Sequence, residues 1–195
     1  DPKYKGGYRS WWGFETLPEV NEENPSYVEF ITGEGGVIDT WLRRGAAGFR
    51  LDVADELPDD FIEKIRAAVK RVSPEKFLLG EVWEDATTKY GFGQRRTYLL
   101  GKGLDSVMNY PFKNAVLDFV KGKPAEQAMG EILSICEHYP APAMDTALNF
   151  LSTHDTERAL TVIADEPANG RGREWQSGRC VTGEAYEEGM LRLRM

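Results

Sequence analysis

The sequence has few cysteines, no excess of positive charge and no long apolar run, and each absence excludes a class of protein. Cys136 and Cys180 are the only cysteines in the 195 residues, too few and too far apart for a disulfide framework or a zinc pattern. No metal site is predicted from them. Cys136 falls on an apolar helical stripe with Met129, Ile132 and Leu133, so we expect it to be a small buried side chain.

The charge and the hydropathy argue against two kinds of partner. The formal net charge is −8 at pH 7, whereas nucleic acids and anionic membranes attract positive surfaces. No apolar stretch approaches the ~20 residues that span a bilayer, and no signal peptide opens the sequence. We therefore expect a neutral substrate or a small molecule, with no nucleic acid and no membrane partner.

Short apolar runs alternate with segments of helical periodicity through most of the chain. The predicted strands are 46–53, 77–83, 104–110 and 147–152. The predicted helices are 27–44, one that opens at 58–60, 112–121, 125–138, one that starts near Thr156, and 184–194. This alternation indicates βα units around a parallel sheet, in a barrel or a doubly wound arrangement. No Gly-rich phosphate turn follows a strand, which disfavours the dinucleotide-binding arrangement.

Three of the four predicted strands end in a carboxylate or run directly into one: Asp52, Glu81 and Asp155. In a parallel barrel the C-terminal strand ends share one face, and active sites are built there. A helix cap explains one such residue, but three of them inside dense polar clusters indicate a chemical task. A pair of carboxyl groups about 5–5.5 Å apart suits retaining glycoside hydrolysis, with one nucleophile and one proton donor.

Neighbouring residues favour different roles for these carboxyl groups. Arg50 lies two residues before Asp52, so on a strand it points to the same side and favours the ionised form that a nucleophile needs. Glu81 lies in an apolar setting with no adjacent cation, which suits a proton donor. His154 beside Asp155 offers a hydrogen-bond donor for a sugar hydroxyl.

Four segments resemble motifs of the α-amylase superfamily of glycoside hydrolases. Gly48–Glu56 resembles the motif of its fourth strand, Gly80–Trp83 that of its fifth, and Phe150–Asp155 that of its seventh. Leu17–Asn21 is similar to the short motif before the fourth strand in the neopullulanase and cyclomaltodextrinase branch. Glu56 stands where typical α-amylases have a His, which points to the same branch.

The resemblance implies a (β/α)8 TIM barrel and a double-displacement mechanism. Asp52 would attack the anomeric carbon, and Glu81 would act as acid and then as base. Asp155 would distort the sugar and stabilise the transition state.

The resemblance also implies a set of substrate-binding residues. Arg50 would orient Asp52, His154 would bind hydroxyls, and Glu56 and Trp83 would line the acceptor side. The substrate would be an α-glucan oligosaccharide or polysaccharide, with pullulan, cyclodextrins, maltodextrins and starch all open. The branch, with the lack of a disulfide pattern, favours a cytoplasmic location.

The family's third-strand motif is absent, so we expect residues 1–195 to be a fragment of the barrel, roughly strands four to seven with their helices. Within it, 1–26 would be a loop or sub-domain remnant, 27–164 the βα units, and 165–195 a loop and a partial helix. Such a piece exposes two sheet edges and is expected to self-associate, with little activity in isolation. No cofactor is predicted, and calcium binding in the full-length parent stays open.

Three other functions remain to be weighed. A transglycosylase of the same superfamily uses the same three carboxylates, and product analysis distinguishes it from a hydrolase. A non-catalytic relative would typically have lost at least one of them. A barrel enzyme of unrelated chemistry is compatible with the fold but not with the set of motifs.

Overall fold

The computed structural model describes residues 3–4, 6–164 and 170–194, and these divide into two compact units. The first unit takes the chain up to Phe49 together with Glu56–Phe77. The second takes Arg50–Asp55 and the chain from Leu78 onward. Two of the points where the chain passes from one unit to the other fall within the first two strands, β1 (Gly48–Leu51) and β2 (Phe77–Gly80).

The first unit opens on an irregular segment and continues with helices. A 3-10 turn at Trp11–Gly13 and a bridge between Ser10 and Pro18 are its regular features. The helices are α1 (Pro25–Thr32), α2 (Val37–Arg43) and α3 (Asp59–Val72).

The prediction of one helix over 27–44 is wrong, because glycines divide it into α1 and α2. Gly35 has φ +76°, in the left-handed region that favours glycine. A Cβ on Gly33 would lie 2.5 Å from the carbonyl oxygen of Glu29, so this position also requires glycine. Gly36 then stands at the N-terminal cap of α2.

Helix α3 forms the core of the first unit. It packs against α1 and α2 through a buried face: Phe61, Ile62, Ile65, Ala68 and Val69. The ring of Phe61 stacks on Tyr27 of α1 with 5.9 Å between centroids. Each fully buried aliphatic side chain on this face contributes about 1.5–3 kcal/mol.

The second unit contains the short strands and the remaining helices. Its strands are β3 (Tyr90–Gly91), β4 (Gln94–Arg95) and β5 (Ser106–Val107). Its helices are α4 (Tyr110–Val120), α5 (Ala125–His138), α6 (Ala141–Asp145), α7 (Ala159–Ala164), α8 (Arg173–Ser177) and α9 (Gly183–Leu193).

The main sheet has the order β1–β2–β5, and β3 pairs with β4 as an antiparallel hairpin. Strands β2 and β5 are parallel, with Leu79 opposite Ser106. The predicted fourth strand is reduced to one parallel bridge between Met108 and Leu148. The predicted strands therefore lie side by side in chain order, which brings their C-terminal ends to one edge.

Gly80, at the end of β2, leaves room for the side chain of Leu104 to pack closely against the strand. A Cβ on Gly80 would lie 2.2 Å from Cδ1 of Leu104, a buried side chain. Larger residues would displace Leu104 and the backbone that carries Glu81.

Several helical predictions need correction. Cys136 is exposed, because α5 buries Ala128 and Ile135 and the predicted stripe lies off this face. Helix α8 lies in the segment that was predicted as a loop, and of that segment 165–169 lie outside the described residues. The bounds of α5 match the prediction. In the parts of the chain that the structure describes, no helix is long and apolar enough to cross a membrane.

Candidate active site

Glu81 is held by its backbone against the segment that follows β1. Its N–H donates to the carbonyl of Leu51 at 3.0 Å, and its own carbonyl accepts from the N–H of Ala54 at 3.0 Å. Both bonds continue the pairing of β1 with β2 beyond the strand ends. The carboxyl groups of Asp52 and Glu81 therefore leave the backbone at the same edge of the sheet.

The Glu81 carboxylate is buried, with 4% of the side chain exposed, and both oxygens have partners. Oε2 accepts from the backbone N–H of Val53 at 2.8 Å and lies 3.0 Å from Nη2 of Arg50. Oε1 accepts from Nε1 of Trp83 at 3.0 Å and from the hydroxyl of Tyr110 at 3.3 Å. This set of donors offsets the cost of burying a charged group.

The expectation that Glu81 has no cation nearby is wrong. Arg50 is distant from Glu81 in sequence, but it reaches across from the neighbouring strand. The surroundings of Glu81 are therefore not apolar as expected, and that argument for its proton-donor role no longer applies.

Arg50 is shared between two carboxylates. Its Nη1 donates to Oδ1 of Asp52 at 2.6 Å, as the spacing of two residues predicted, while Nη2 lies against Glu81. Nε also donates to Sδ of Met108 at 3.4 Å. One planar guanidinium therefore hydrogen-bonds Asp52 and forms an ion pair with Glu81. Their surroundings differ, because 71% of the Asp52 side chain is exposed.

The turn that follows Asp52 has a strained backbone and carries two of the groups that bind Glu81. Val53 has φ +45°, which costs a β-branched residue roughly 1–2 kcal/mol. The strain is offset by the two bonds that Val53 and Ala54 make with Glu81. The turn directs the amide of Val53 at the carboxylate.

Tyr110 is a site residue that the sequence reasoning missed. It is buried and stacks on Trp83, with 4.5 Å between centroids and 14° between planes. Phe150 packs edge-on at 4.8 Å. Burial raises the pKa of Tyr110, and the charges of Glu81 and Asp155 raise it further, against a lowering by the hydrogen bond with Thr153. The available signal was its place at the C-terminal end of the third predicted strand.

Asp155 and His154 lie on the segment after Leu148 and are more exposed. Nε2 of His154 lies 3.1 Å from Oδ2 of Asp155, and the backbone N–H of Asp155 donates to Oγ1 of Thr153 at 3.2 Å. Asp155 acts electrostatically on the same Tyr110 phenol that contacts Glu81. Arg50 thus contacts both Asp52 and Glu81, while Asp155 is related to Glu81 through its electrostatic effect on Tyr110.

Glu56 belongs to the first unit. Its Oε1 accepts a hydrogen bond from Nε1 of Trp12 at 3.3 Å. Among residues 3–4, 6–164 and 170–194, no three His, Cys, Asp or Glu side chains converge in a way that would hold a metal ion.

The arrangement is suited to chemistry that needs two carboxyl groups with different tasks. One is open to solvent and the other is buried and fixed, with a single cation between them. Different surroundings are what separate the roles of paired carboxyl groups in enzymes.

The family model described as "Alpha amylase, catalytic domain" matches residues 5–177. The chain is 36% identical to an amylopullulanase of Thermoanaerobacter thermohydrosulfuricus, over 87% of this chain and 13% of that protein. It is 34% identical to neopullulanase 2 of Thermoactinomyces vulgaris, over 80% of this chain and 25% of that protein. The chain thus spans a quarter or less of the length of these relatives.

A solved structure, the type III pullulan hydrolase from Thermococcus kodakarensis, matches 95% of this chain and 29% of its own. The TM-score is 0.75 and the sequences are 28% identical. Together with the family match, this gives the fold as that of a (β/α)8 barrel enzyme.

Proposed function

Because this chain belongs to the α-amylase catalytic-domain family of glycoside hydrolases, in the neopullulanase and cyclomaltodextrinase branch, we propose that it carries the catalytic centre for retaining hydrolysis of α-glucosidic bonds in α-glucans. The observation that carries the proposal is the Arg50 guanidinium shared by Asp52 and Glu81. It keeps two carboxyl groups close together, and a close pair is the arrangement that retention requires.

The exposed carboxylate of Asp52 is the nucleophile. It attacks the anomeric carbon as Glu81 protonates the departing glycosidic oxygen, and a glycosyl-enzyme ester forms. Glu81 then takes a proton from water, whose oxygen displaces Asp52 and leaves the product with the original anomeric configuration. The proton-donor role of Glu81 is carried over from the family motif.

The other site residues bind and orient the sugar. Asp155 and His154 hydrogen-bond hydroxyls and stabilise the oxocarbenium-like transition state, and Arg50 orients Asp52. Trp83 presents an aromatic face beside Glu81, where the acceptor side would lie. Glu56 is proposed for the acceptor side from the motif alone.

In this proposal β1, β2, β5 and the segment at Leu148 are strands four to seven of the barrel. Within the described residues β1 has one strand neighbour, β2, so its outer edge supports the prediction of self-association. Light scattering that finds a monomer at high concentration would remove that prediction.

Low activity of the 195-residue chain by itself stays a prediction, which turnover of maltodextrin by that chain would contradict. The cytoplasmic location also stays a prediction.

The test is an assay of the intact protein against pullulan, cyclodextrin, maltodextrin and starch, with Asp52→Asn as the inactive variant. Asp60→Asn is the matched control, since Asp60 is exposed on α3. We expect Asp52→Asn to lose roughly a thousandfold or more of the rate, and proton NMR of early product to show the α-anomer. A variant that keeps most of its rate, or a β-anomeric product, would overturn the proposal.

Transglycosylation is the second candidate, and the exposed ring of Trp83, which stacks on the buried Tyr110 beside Glu81, favours it. Such a surface suits a sugar acceptor in place of water. Chromatography of products at high substrate concentration separates the two outcomes, because transfer makes oligosaccharides longer than the substrate.

A further inference from the structure

The segment between β2 and β5 carries a hairpin of β3 and β4 with a strained aromatic tip. Tyr90 pairs with Arg95 and Gly91 with Gln94, so Phe92 and Gly93 form the turn. Their φ angles are +52° and +77°, as a two-residue hairpin turn of the primed type requires. Glycine suits such a position, whereas phenylalanine is strained there by roughly 1–2 kcal/mol.

The hairpin is anchored to the segments that follow the two central carboxylates. Nζ of Lys89 lies 3.1 Å from Oδ2 of Asp55 and 2.6 Å from Oε2 of Glu84. Asp55 is three residues after Asp52, and Glu84 is three residues after Glu81. The base of the hairpin is therefore tied to both sides of the candidate active site.

A buried arginine holds the tip. Nη1 of Arg96 donates to the carbonyl of Asp55 at 2.7 Å. Its guanidinium carbon lies 5.1 Å from the ring centroid of Phe92 and 4.4 Å from that of Tyr98. Arg95, the last residue of β4 and the neighbour of Arg96, donates from Nε and Nη2 to the carbonyl of Thr87, at 3.0 and 2.6 Å. The turn is thus fixed by charged groups, although its outer surface is aromatic.

The two aromatic rings at the tip are left to solvent. Tyr90 is 71% exposed and Phe92 58% exposed, and they lie two residues apart, Tyr90 on β3 and Phe92 in the turn that follows it. Neither ring contributes its area to the core, so burial does not explain them. A rigid pair of exposed rings offers stacking area at a low cost in side-chain entropy.

The chemistry of the tip fits a neutral polyhydroxylated chain. Lys89 is paired with two carboxylates, and Arg95 and Arg96 donate to backbone carbonyls, so the two rings are the exposed apolar surface of the tip. Sugar rings have apolar C–H faces that pack on aromatic faces, and their hydroxyls remain in water.

We propose that Tyr90 and Phe92 form a stacking platform that binds the part of an α-glucan chain extending from the active site past Glu84 and Asp55. The platform rests on the proposed function for its ligand class. It distinguishes long chains from short ones, because only a long chain reaches from the reacting bond to the hairpin.

The test uses the intact protein with Tyr90→Ala, Phe92→Gly and the double variant. Glycine at 92 fits the turn conformation, so it removes the ring and keeps the hairpin, and Tyr90→Phe keeps the stacking face. Phe119→Ala is the matched control, since Phe119 is 49% exposed on α4 in the same unit. Thermal unfolding of each variant verifies that it is folded.

Two readouts separate this platform from the catalytic centre. The first readout is retardation in native gels that contain amylose, with every variant made in the inactive Asp52→Asn background. We expect the apparent Kd of the double variant for amylose to rise about tenfold, which corresponds to the energy of one stacked aromatic pair. In the active background we expect KM for amylose to rise about as much, with kcat/KM for a short nitrophenyl maltoside unchanged. Tyr90→Phe and Phe119→Ala should behave like the wild type.

Unchanged retardation in the double variant would overturn the platform and leave the proposed function standing. An equal loss on short and long substrates would also overturn it, because the rings would then support the active site. If no variant hydrolyses any α-glucan but ring-dependent retardation persists, the proposed hydrolysis fails and the platform holds.

Discussion

Nη2 of Arg50 lies 3.0 Å from Oε2 of Glu81, while Nη1 of the same guanidinium lies 2.6 Å from Oδ1 of Asp52. One side chain therefore sets the separation and the orientation of two carboxyl groups from neighbouring strands. A planar fork can do this, whereas a single ammonium group cannot reproduce both contacts.

Arg50→Lys is expected to lower kcat about a hundredfold or more, because small displacements of reacting groups cost that much. The variant keeps the positive charge, so the loss reports geometry. Steady-state kinetics on maltodextrin measure it, with Arg66→Lys on α3 as the control. A rate within threefold of the wild type would show that the shared guanidinium has no catalytic importance.

Tyr110→Phe removes the hydroxyl that contacts Glu81 and keeps the ring stacked on Trp83. We expect stability to fall by about 1 kcal/mol and kcat to fall about tenfold, a value typical of one hydrogen bond to a charged group. Chemical denaturation and kinetics at neutral pH measure the two effects. An unchanged kcat would mean that the contact is only structural.

The same residue predicts an alkaline pH dependence. The folded protein raises the pKa of Tyr110 above its ordinary value of 10.0. A raised pKa contributes stability below the unfolded value, and this contribution is lost as pH rises through the folded value. The free energy of unfolding should therefore fall more steeply above pH 10 in the wild type than in Tyr110→Phe. Parallel curves would contradict this.

Val53→Pro and Val53→Gly separate the two properties of the strained turn. Proline removes the N–H that donates to Glu81 and cannot adopt φ +45°, so we expect loss of activity and a lower melting temperature. Glycine keeps the N–H and relieves the strain, and its larger chain entropy offsets part of that gain. Activity close to the wild type in Val53→Gly is expected. If both variants were equally impaired, the valine side chain would be the important group.

The lowered pKa of Asp85 predicts that part of the protein's stability is lost in acid. Burial alone would raise its pKa, but hydrogen bonds from Thr87 and His138 outweigh burial and hold it below 3.8. A depressed pKa contributes stability above the unfolded value, which is lost as pH falls through the folded value. Asp85→Asn should therefore be less stable than the wild type at pH 7, with a gap that narrows below about pH 4. Denaturation at both pH values measures it, with the exposed Asp145→Asn as control.

Gly80→Ala should destabilise the second unit by about 1–3 kcal/mol, as overpacking of a core does. The added Cβ would meet Cδ1 of Leu104 at 2.2 Å. The double variant with Leu104→Val should recover part of the loss, because the shorter side chain makes room. Failure of that rescue would place the strain in the backbone.

The sequence predicted features that depend on local pattern. The bounds of α5 and the places of Asp52 and Glu81 directly after a strand follow from periodicity and from short apolar runs. The glycines at Gly33–Gly36 also indicated a break between two helices. The prediction gave more weight to the apolar stripe on either side of them, and so it joined the two helices into one.

Contacts between elements were not predictable in the same way. The reach of Arg50 to Glu81 depends on the register of two strands, and the packing of Tyr110 on Trp83 depends on a third. Cys136 was misplaced because a helix has several faces with apolar residues, and its partner α4 decides which one is buried.

The unequal exposure of Asp52 and Glu81 has a consequence for substrate binding. Glu81 already has a full set of protein donors, whereas Asp52 has Arg50 on one side and solvent on the other. A sugar ring that covers Asp52 displaces this water and lowers the local dielectric constant, so the attraction between Asp52 and Arg50 strengthens at that moment. In the proposed mechanism the substrate therefore completes the electrostatic surroundings of Asp52, the nucleophile of that proposal.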